Sequence, residues 1–162
     1  MFKIEHLGHI RKDRRMAKIL LADGNVKLRS LVKAVIENRE GWQVVEATDG
    51  HDAVAKTLEL KPDLVVLDFA MAGLTGLQAA AKIIADCPNL PVILYTFYGF
   101  DAMVSVAKKA GIRDVISKGD NSERLLEAIA KHLDNGAKSS SVLPAETKIA
   151  DITKKEEPPD AV

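Results

Sequence analysis

Short apolar runs alternate with amphipathic stretches along most of this chain, and this alternation constrains its fold more than any other feature. Nearly continuous apolar runs bounded by turn residues are typical of strands that are buried on both faces, as in a parallel sheet. The stretches between the runs have the length and spacing of helices. The predicted strands are Ile19–Ala22, Trp42–Val45, Leu64–Leu67, Val92–Tyr95 and Val115–Ile116.

Five helices are predicted, one after each strand. Three of them cover residues 51–60, 76–86 and 101–110, and the last follows an N-cap at Asn121 or Ser122. Strict alternation of strand and helix with right-handed crossovers predicts a three-layer α/β fold, a five-stranded parallel sheet with helices on both faces. The first and last helices carry apolar stripes made of Leu28, Leu31, Val32, Val35 and Ile36, and of Leu125, Leu126, Ile129 and Leu133.

The alternation occupies residues 18–135, and we expect this segment to be a single domain. Residues 1–17 are predicted to form a basic arm. Residues 136–162 contain three consecutive serines and a Pro158–Pro159 pair but few large apolar residues. Such a segment buries too little surface to offset the entropy of ordering, so it is predicted to be a disordered tail.

The composition argues against several function classes. Lys and Arg total 23 and Asp and Glu total 23, so no net charge attracts nucleic acid or an anionic membrane. No apolar run approaches the roughly 20 residues that span a bilayer, and the first residues lack the apolar stretch of a signal peptide. The single cysteine, Cys87, excludes an intrachain disulfide and fits a reducing compartment. We expect a cytoplasmic protein that binds neither nucleic acid nor membrane directly.

Polar residues end four of the predicted strands: Asp23, Asp68, Thr96 and Lys118. Ligands of open parallel sheets bind at the carboxyl ends of the strands, so these side chains are expected to converge. Two carboxylates can hold a divalent cation, an ammonium can neutralise a transferring phosphoryl group, and an aspartate can act as a covalent nucleophile. Each residue alone is more often a turn former or a helix cap. Together, on one edge, they predict a site.

Four sequence blocks also resemble, in order and in spacing, the receiver domains of response regulators in two-component signalling. The resemblance extends from about Lys18 to Leu133. Within the family, the chain is similar to stand-alone receivers of the chemotaxis-regulator kind. It implies the flavodoxin-like strand order 2-1-3-4-5 and no output domain. The blocks are Lys18–Asp23 with Leu28 and Arg29, Pro62–Asp68 with Met71 and Gly76, Pro91–Thr96, and Ala110–Gly111 with Lys118.

The resemblance implies a role for each site residue. Asp68 would accept a phosphoryl group from a histidine kinase, a phosphotransfer protein or a small-molecule phosphodonor. Asp23, Asp68 and the main-chain carbonyl of Ala70 would hold Mg²⁺, while Thr96 and Lys118 would contact the phosphoryl oxygens. Catalysis would extend at most to self-phosphorylation and self-dephosphorylation. The signal would pass to a downstream protein through the face near residues 101–117 and the last helix.

The chain departs from the receiver pattern near the site. Gly24 stands where receivers have a second acid that normally contacts the metal, so we expect weakened Mg²⁺ binding. Gly119 replaces a common proline, which predicts a trans peptide bond after Lys118. Val115 replaces the usual aromatic switch residue. Phe97 and Tyr98 either make the mouth of the site apolar and crowded or pack against helix 101–110.

Two alternatives to a working phosphoacceptor remain. The first is a degenerate pseudo-receiver, a protein-interaction module that needs no phosphorylation, which the departures at Gly24, Phe97, Val115 and Gly119 favour. The retained quartet of strand-end residues argues against it. The second is a flavodoxin-like cofactor enzyme, but the chain lacks a glycine-rich phosphate loop after the first strand.

Overall fold

A computed structural model describes residues 15–99 and 101–139. Most of the predicted basic arm and most of the predicted polar tail lie outside these residues. No helix in the described ranges is long and apolar enough to cross a membrane.

Five parallel strands form one sheet in the order β2-β1-β3-β4-β5, which confirms the predicted fold and strand order. Strands β1, β2, β4 and β5 are each longer than predicted, because their ends include partly exposed or polar residues that interrupt the apolar runs. The strands are β1 (Ala17–Ala22), β2 (Trp42–Ala47), β3 (Leu64–Leu67), β4 (Val92–Thr96) and β5 (Asp114–Ser117).

Helices cover both faces of the sheet, as predicted. The core on one face contains residues of α1 and α5, and the core on the other face contains residues of α2, α3 and α4. Helix α5 runs four residues past position 135, the predicted end of the domain. The helices are α1 (Val26–Glu37), α2 (Gly50–Leu60), α3 (Gly76–Asp86), α4 (Asp101–Lys109) and α5 (Ser122–Ser139).

The predicted apolar stripe of α1 is wrong at one position. Val32 and Ile36 are buried, and Leu28 and Val35 pack against the core, but Leu31 is 63% exposed. At about 3.6 residues per turn, Leu31 falls at the margin of the stripe and faces away from the sheet. The stripe of α5 is confirmed.

Side-chain caps position the helix starts near the carboxyl edge of the sheet. Asn25 accepts a hydrogen bond from the N–H of Leu28 at the start of α1. Thr75 and Gln78 form a reciprocal capping box at the start of α3. Asn121 accepts from the N–H of Glu123, as expected of the predicted cap of α5. These caps fix where each loop of the carboxyl edge ends.

Candidate functional site

The strand register brings the predicted site residues to one edge of the sheet. The N–H of Asp68 donates to the carbonyl of Ala22 at the end of β1, 2.9 Å away. The N–H of Lys118 donates to the carbonyl of Thr96 at the end of β4, also at 2.9 Å. Because these bonds join neighbouring strands at their last residues, the side chains of β1, β3, β4 and β5 end in the same place.

The ammonium of Lys118 lies between two carboxylates. Its Nζ is 2.6 Å from Oδ2 of Asp23 and 3.4 Å from Oδ1 of Asp68. The side chains of Lys118 and Asp23 are only 3% and 4% exposed, whereas that of Asp68 is 12% exposed. Asp68 is therefore the carboxylate of this trio that an incoming group reaches first.

Aromatic rings complete the surroundings of the ammonium. Nζ of Lys118 lies 5.8 Å from the ring centroid of Tyr95 and 5.5 Å from that of Phe97, within the range of cation–π attraction. Phe97 is 65% exposed, and Tyr98 is half exposed and meets Phe69 edge-on. The exposure of both rings favours the crowded mouth over packing against α4. Tyr95 was not among the predicted site residues.

Burial raises the pKa of Asp68 above its ordinary value, and the neighbouring charge of Asp23 raises it further. The Lys118 ammonium and the N–H of Phe69 act in the opposite direction without cancelling the increase. The balance follows from geometry, because Lys118 is shared and stands closer to Asp23 than to Asp68.

Thr96 is fully buried at the end of β4. Its Oγ1 accepts a hydrogen bond from the N–H of Tyr98 at 3.2 Å, which leaves the hydroxyl proton able to point at another acceptor. Ala70 follows Asp68 by two residues in the loop before α3 and is exposed. The structure thus brings Asp23, Asp68 and Lys118 into direct contact and places Thr96 and Ala70 on the adjoining strand end and loop.

Mg²⁺ in proteins is usually held by one or two carboxylates together with waters and phosphate oxygens, so few acids are needed at such an edge. Within residues 15–99 and 101–139 there is no group of three or more His, Cys, Asp or Glu side chains that could hold a metal ion. A Cβ on Gly24 would meet only the carbonyl of Thr48, at 3.8 Å, so there is room for an acid at position 24. Both carboxylate oxygens of Asp23 already accept hydrogen bonds, from the N–H of Asn25 and from Lys118.

The loop after β5 has the predicted backbone form. No cis peptide bond occurs among the described residues, so the Lys118–Gly119 bond is trans. The N–H of Gly119 donates to the hydroxyl of Ser117. With this loop, the Lys118 side chain reaches across the edge to Asp23.

Comparison with known proteins gives a consistent family. A sequence model of the response regulator receiver domain matches residues 19–130. The chain is 38% identical to chemotaxis protein CheY of Listeria monocytogenes, over 72% of this chain and 98% of that protein. It is 37% identical to CheY of Thermotoga maritima, over 70% and 95%, and 34% identical to protein PilH of Pseudomonas aeruginosa, over 70% and 95%.

Solved structures agree. The CheY-like receiver domain protein of Methanospirillum hungatei superposes with a TM-score of 0.72 at 25% identity, covering 76% of this chain and 98% of that one. The response regulator domain of Thermotoga maritima CheB has a TM-score of 0.69 at 30% identity, covering 74% and 98%. With its strand order, its strand-end residues and these relatives, the chain belongs to the response regulator receiver domain family.

Proposed function

We propose that the chain is a phosphoacceptor receiver of a two-component phosphorelay, phosphorylated on Asp68 and signalling through protein–protein contacts. The observation that carries this proposal is the contrast between the two acids at the edge. Asp68 is partly open to solvent beside a buried ammonium, while the side chain of Asp23 is almost completely buried. Only Asp68 is both accessible to a phosphodonor and close to a cation that can neutralise the attached phosphoryl group.

The reaction needs an in-line displacement at phosphorus. A carboxylate oxygen of Asp68 attacks the phosphorus of a phosphohistidine or an acyl phosphate and forms a P–O bond. The bond from phosphorus to the donor nitrogen or oxygen breaks, and the leaving group keeps its electron pair. Lys118 would neutralise the phosphoryl oxygens and the Thr96 hydroxyl would donate to them. Such transfers depend on positioning and charge, which these side chains supply.

The family suggests the partners. Receiver domains interact with histidine kinases or phosphotransfer proteins, so one of these would donate the phosphoryl group. A small-molecule phosphodonor is the second source. This chain covers nearly all of the CheY and PilH relatives, which supports a receiver that acts on a separate downstream protein. The balance of Lys and Arg against Asp and Glu favours a protein target over nucleic acid.

Receivers of this family generally bind Mg²⁺. In this chain the ion would find oxygen ligands at Asp23, Asp68 and the main-chain carbonyl of Ala70. We propose that it is held weakly, because Gly24 brings no acid and Lys118 already contacts Asp23.

Intact-mass spectrometry after incubation with acetyl phosphate and Mg²⁺ tests the phosphoacceptor. We expect one phosphoryl adduct on the native chain and none on Asp68→Ala. Asp86→Ala is the matched control, since Asp86 is an exposed acid at the far end of α3, and it should be modified like the native chain. An adduct that persists in Asp68→Ala would refute the assignment.

The second candidate is the degenerate pseudo-receiver, a phosphorylation-independent interaction module. The glycine at position 24 and the ammonium on Asp23 favour it. It predicts no adduct from acetyl phosphate and none from a phosphorylated histidine phosphotransfer protein, with partner binding unchanged in Asp68→Ala.

A further inference from the structure

The ammonium of Lys118 is enclosed from several directions. Asp23 and Asp68 contact it through carboxylate oxygens, and the rings of Tyr95 and Phe97 lie within 6 Å of Nζ. Its side chain is 3% exposed although it follows an edge strand. A lysine beside a glycine usually extends into solvent, so this degree of enclosure requires a specific set of contacts.

A metal ion entering this edge would have to displace that ammonium. Lys118 holds Oδ2 of Asp23 at 2.6 Å, and the N–H of Asn25 holds Oδ1 at 2.8 Å. Gly24 offers no third acid to compensate for the lost contact. The contact between Lys118 and Asp23 is the shortest ion pair among the described residues, at 2.6 Å.

We infer that Lys118 is the resident cation of this site, held against Asp23 and Asp68 by the rings of Tyr95 and Phe97, so that phosphoryl transfer to Asp68 depends little on Mg²⁺. This inference rests on the proposed phosphoacceptor function. Transfer needs positive charge beside the phosphoryl oxygens, and a fixed charge is most effective where water is excluded. Lys118 meets both conditions, since Asp68 is its second partner and almost none of its side chain touches solvent.

Phe97 acts as a positioning residue for Lys118. It follows the buried Thr96 yet exposes 65% of its surface, which is unusual for a large apolar side chain. Contact with Lys118 accounts for this exposed position, because the ring keeps the ammonium over the carboxylates. Tyr95, by contrast, is buried in the core on the α1 and α5 face, so it forms a fixed wall on the other side.

The first experiment measures the initial rate of adduct formation with acetyl phosphate, in saturating Mg²⁺ and in excess EDTA. Loss of an essential stabilising charge costs roughly 10²–10³-fold in rate, whereas we expect EDTA to slow the native chain by less than about tenfold. Gly24→Asp should become Mg²⁺-dependent. Gly24→Asn, of the same size without the charge, is the matched control and should keep most of the native metal independence.

The outcomes separate the two proposals. An adduct that forms in Mg²⁺ and vanishes in EDTA overturns the resident-cation inference alone. No adduct in either condition, and none from a phosphorylated histidine phosphotransfer protein, overturns the phosphoacceptor function and the inference with it. An adduct in both conditions supports both.

Variants at Phe97 test the positioning role. Phe97→Leu keeps an apolar side chain but removes the π face, and we expect the rate in EDTA to fall roughly two- to fivefold. Phe97→Trp should retain the native rate. Because the side chain is mostly exposed, neither change threatens the fold. Equal rates in all three proteins would show that Phe97 does not position Lys118.

Calorimetric titration of the unphosphorylated protein with Mg²⁺ gives a readout that is independent of phosphorylation. If the ammonium occupies the place of the metal, Lys118→Met should bind Mg²⁺ at least about tenfold more tightly than the native chain. If Lys118→Met does not fold, Phe97→Leu carries the same comparison with a smaller shift. Equal Mg²⁺ affinities of the native chain and of the variant tested would contradict competition between Lys118 and the metal ion.

Discussion

The negative charge of Asp68 serves the site but destabilises the folded state. Its carboxylate is largely buried and shares the ammonium of Lys118 with Asp23, so the pKa of Asp68 is raised. Below the unfolded-state pKa, Asp68 is protonated in both states and adds no cost. As pH rises, the unfolded chain loses the proton first, and the free energy of unfolding falls until pH exceeds the raised pKa. Above the raised pKa the full cost is present.

Replacing Asp68 by asparagine should therefore stabilise the protein. Asp68→Asn keeps the shape, removes the buried charge and leaves Lys118 paired with Asp23 at 2.6 Å. We expect the free energy of unfolding at neutral pH to rise by about 1 kcal/mol, measured by urea denaturation. The gain should shrink as pH falls through the raised pKa of Asp68 and vanish below about pH 4, the ordinary range of an aspartate, where the carboxyl is protonated in both states. A gain of the same size at both pH values would argue against burial of charge as its cause.

At the scale of secondary-structure elements, the close approach of α3 to β3 positions the phosphoacceptor loop. Gly76 starts α3 against the main chain of Asp68, and its N–H donates to the carbonyl of Phe69 at 2.9 Å. A Cβ at Gly76 would overlap the carbonyl of Asp68 and come within 2.9 Å of Cδ1 of Leu94. A side chain at position 76 therefore has to push α3 away from the sheet.

The same substitution at two helical glycines should have opposite effects. Gly76→Ala should lower the free energy of unfolding by about 1–3 kcal/mol, because fixed backbone must move. Gly136→Ala, in α5 with no atom within 4 Å of the new Cβ, should raise it by about 0.5–1 kcal/mol through helix propensity alone. Urea unfolding of both variants measures the difference. Changes of the same sign would show that steric contact at Gly76 does not govern its stability.

The bounds of β3 and α3 were predicted to the residue, because several features of the sequence mark the same ends. Strand β3 is buried at all four positions, and α3 begins after a capping box, so periodicity and caps agree. Strand β5 was predicted too short because its ends, Asp114 and Ser117, are polar residues of an edge strand. The end of α5 was missed because composition changes at Gly136 before the helix ends.

The site was predictable for the same physical reason as the sheet. Parallel strands bring their last residues to one edge, so Asp23, Asp68, Thr96 and Lys118 followed from strand ends alone. The part played by Tyr95 did not follow, because alternate side chains of a strand point to opposite faces and Tyr95 is assigned to the core. The contact depends on how far Lys118 reaches across the edge, which the sequence does not reveal.

At the scale of the whole molecule, the helices are anchored unequally. Helix α3 buries Gly76, Ala79, Ala80 and Ile83, whereas Ala107 is the only fully buried residue among the nine of α4. Burial of apolar side chains contributes most of the local stability, so α4 is held least firmly. It also lies beside the mouth of the site, after Tyr98, whose N–H is bonded to the Thr96 hydroxyl.

The local stability of α4 should therefore be the first to change on phosphorylation. A phosphoryl group on Asp68 would draw the Thr96 hydroxyl towards its oxygens and weaken the bond to Tyr98 at the entrance to α4. We expect amide hydrogen exchange, followed by mass spectrometry, to show faster exchange in α4 than in α3 before phosphorylation. After acetyl phosphate treatment, protection should change in α4 and β5 while α1 stays as it was.

The control is Asp68→Asn treated in the same way, in which α4 should not respond. An equal change in α1 would contradict this account, because α1 is anchored by Val32 and Ile36 on the opposite face of the sheet. Val115, in β5, packs partly buried against the same core as α4. Since no aromatic residue stands at position 115, the response would have to spread through main-chain and helix displacement, and it should be graded along α4, strongest at the end nearest Tyr98.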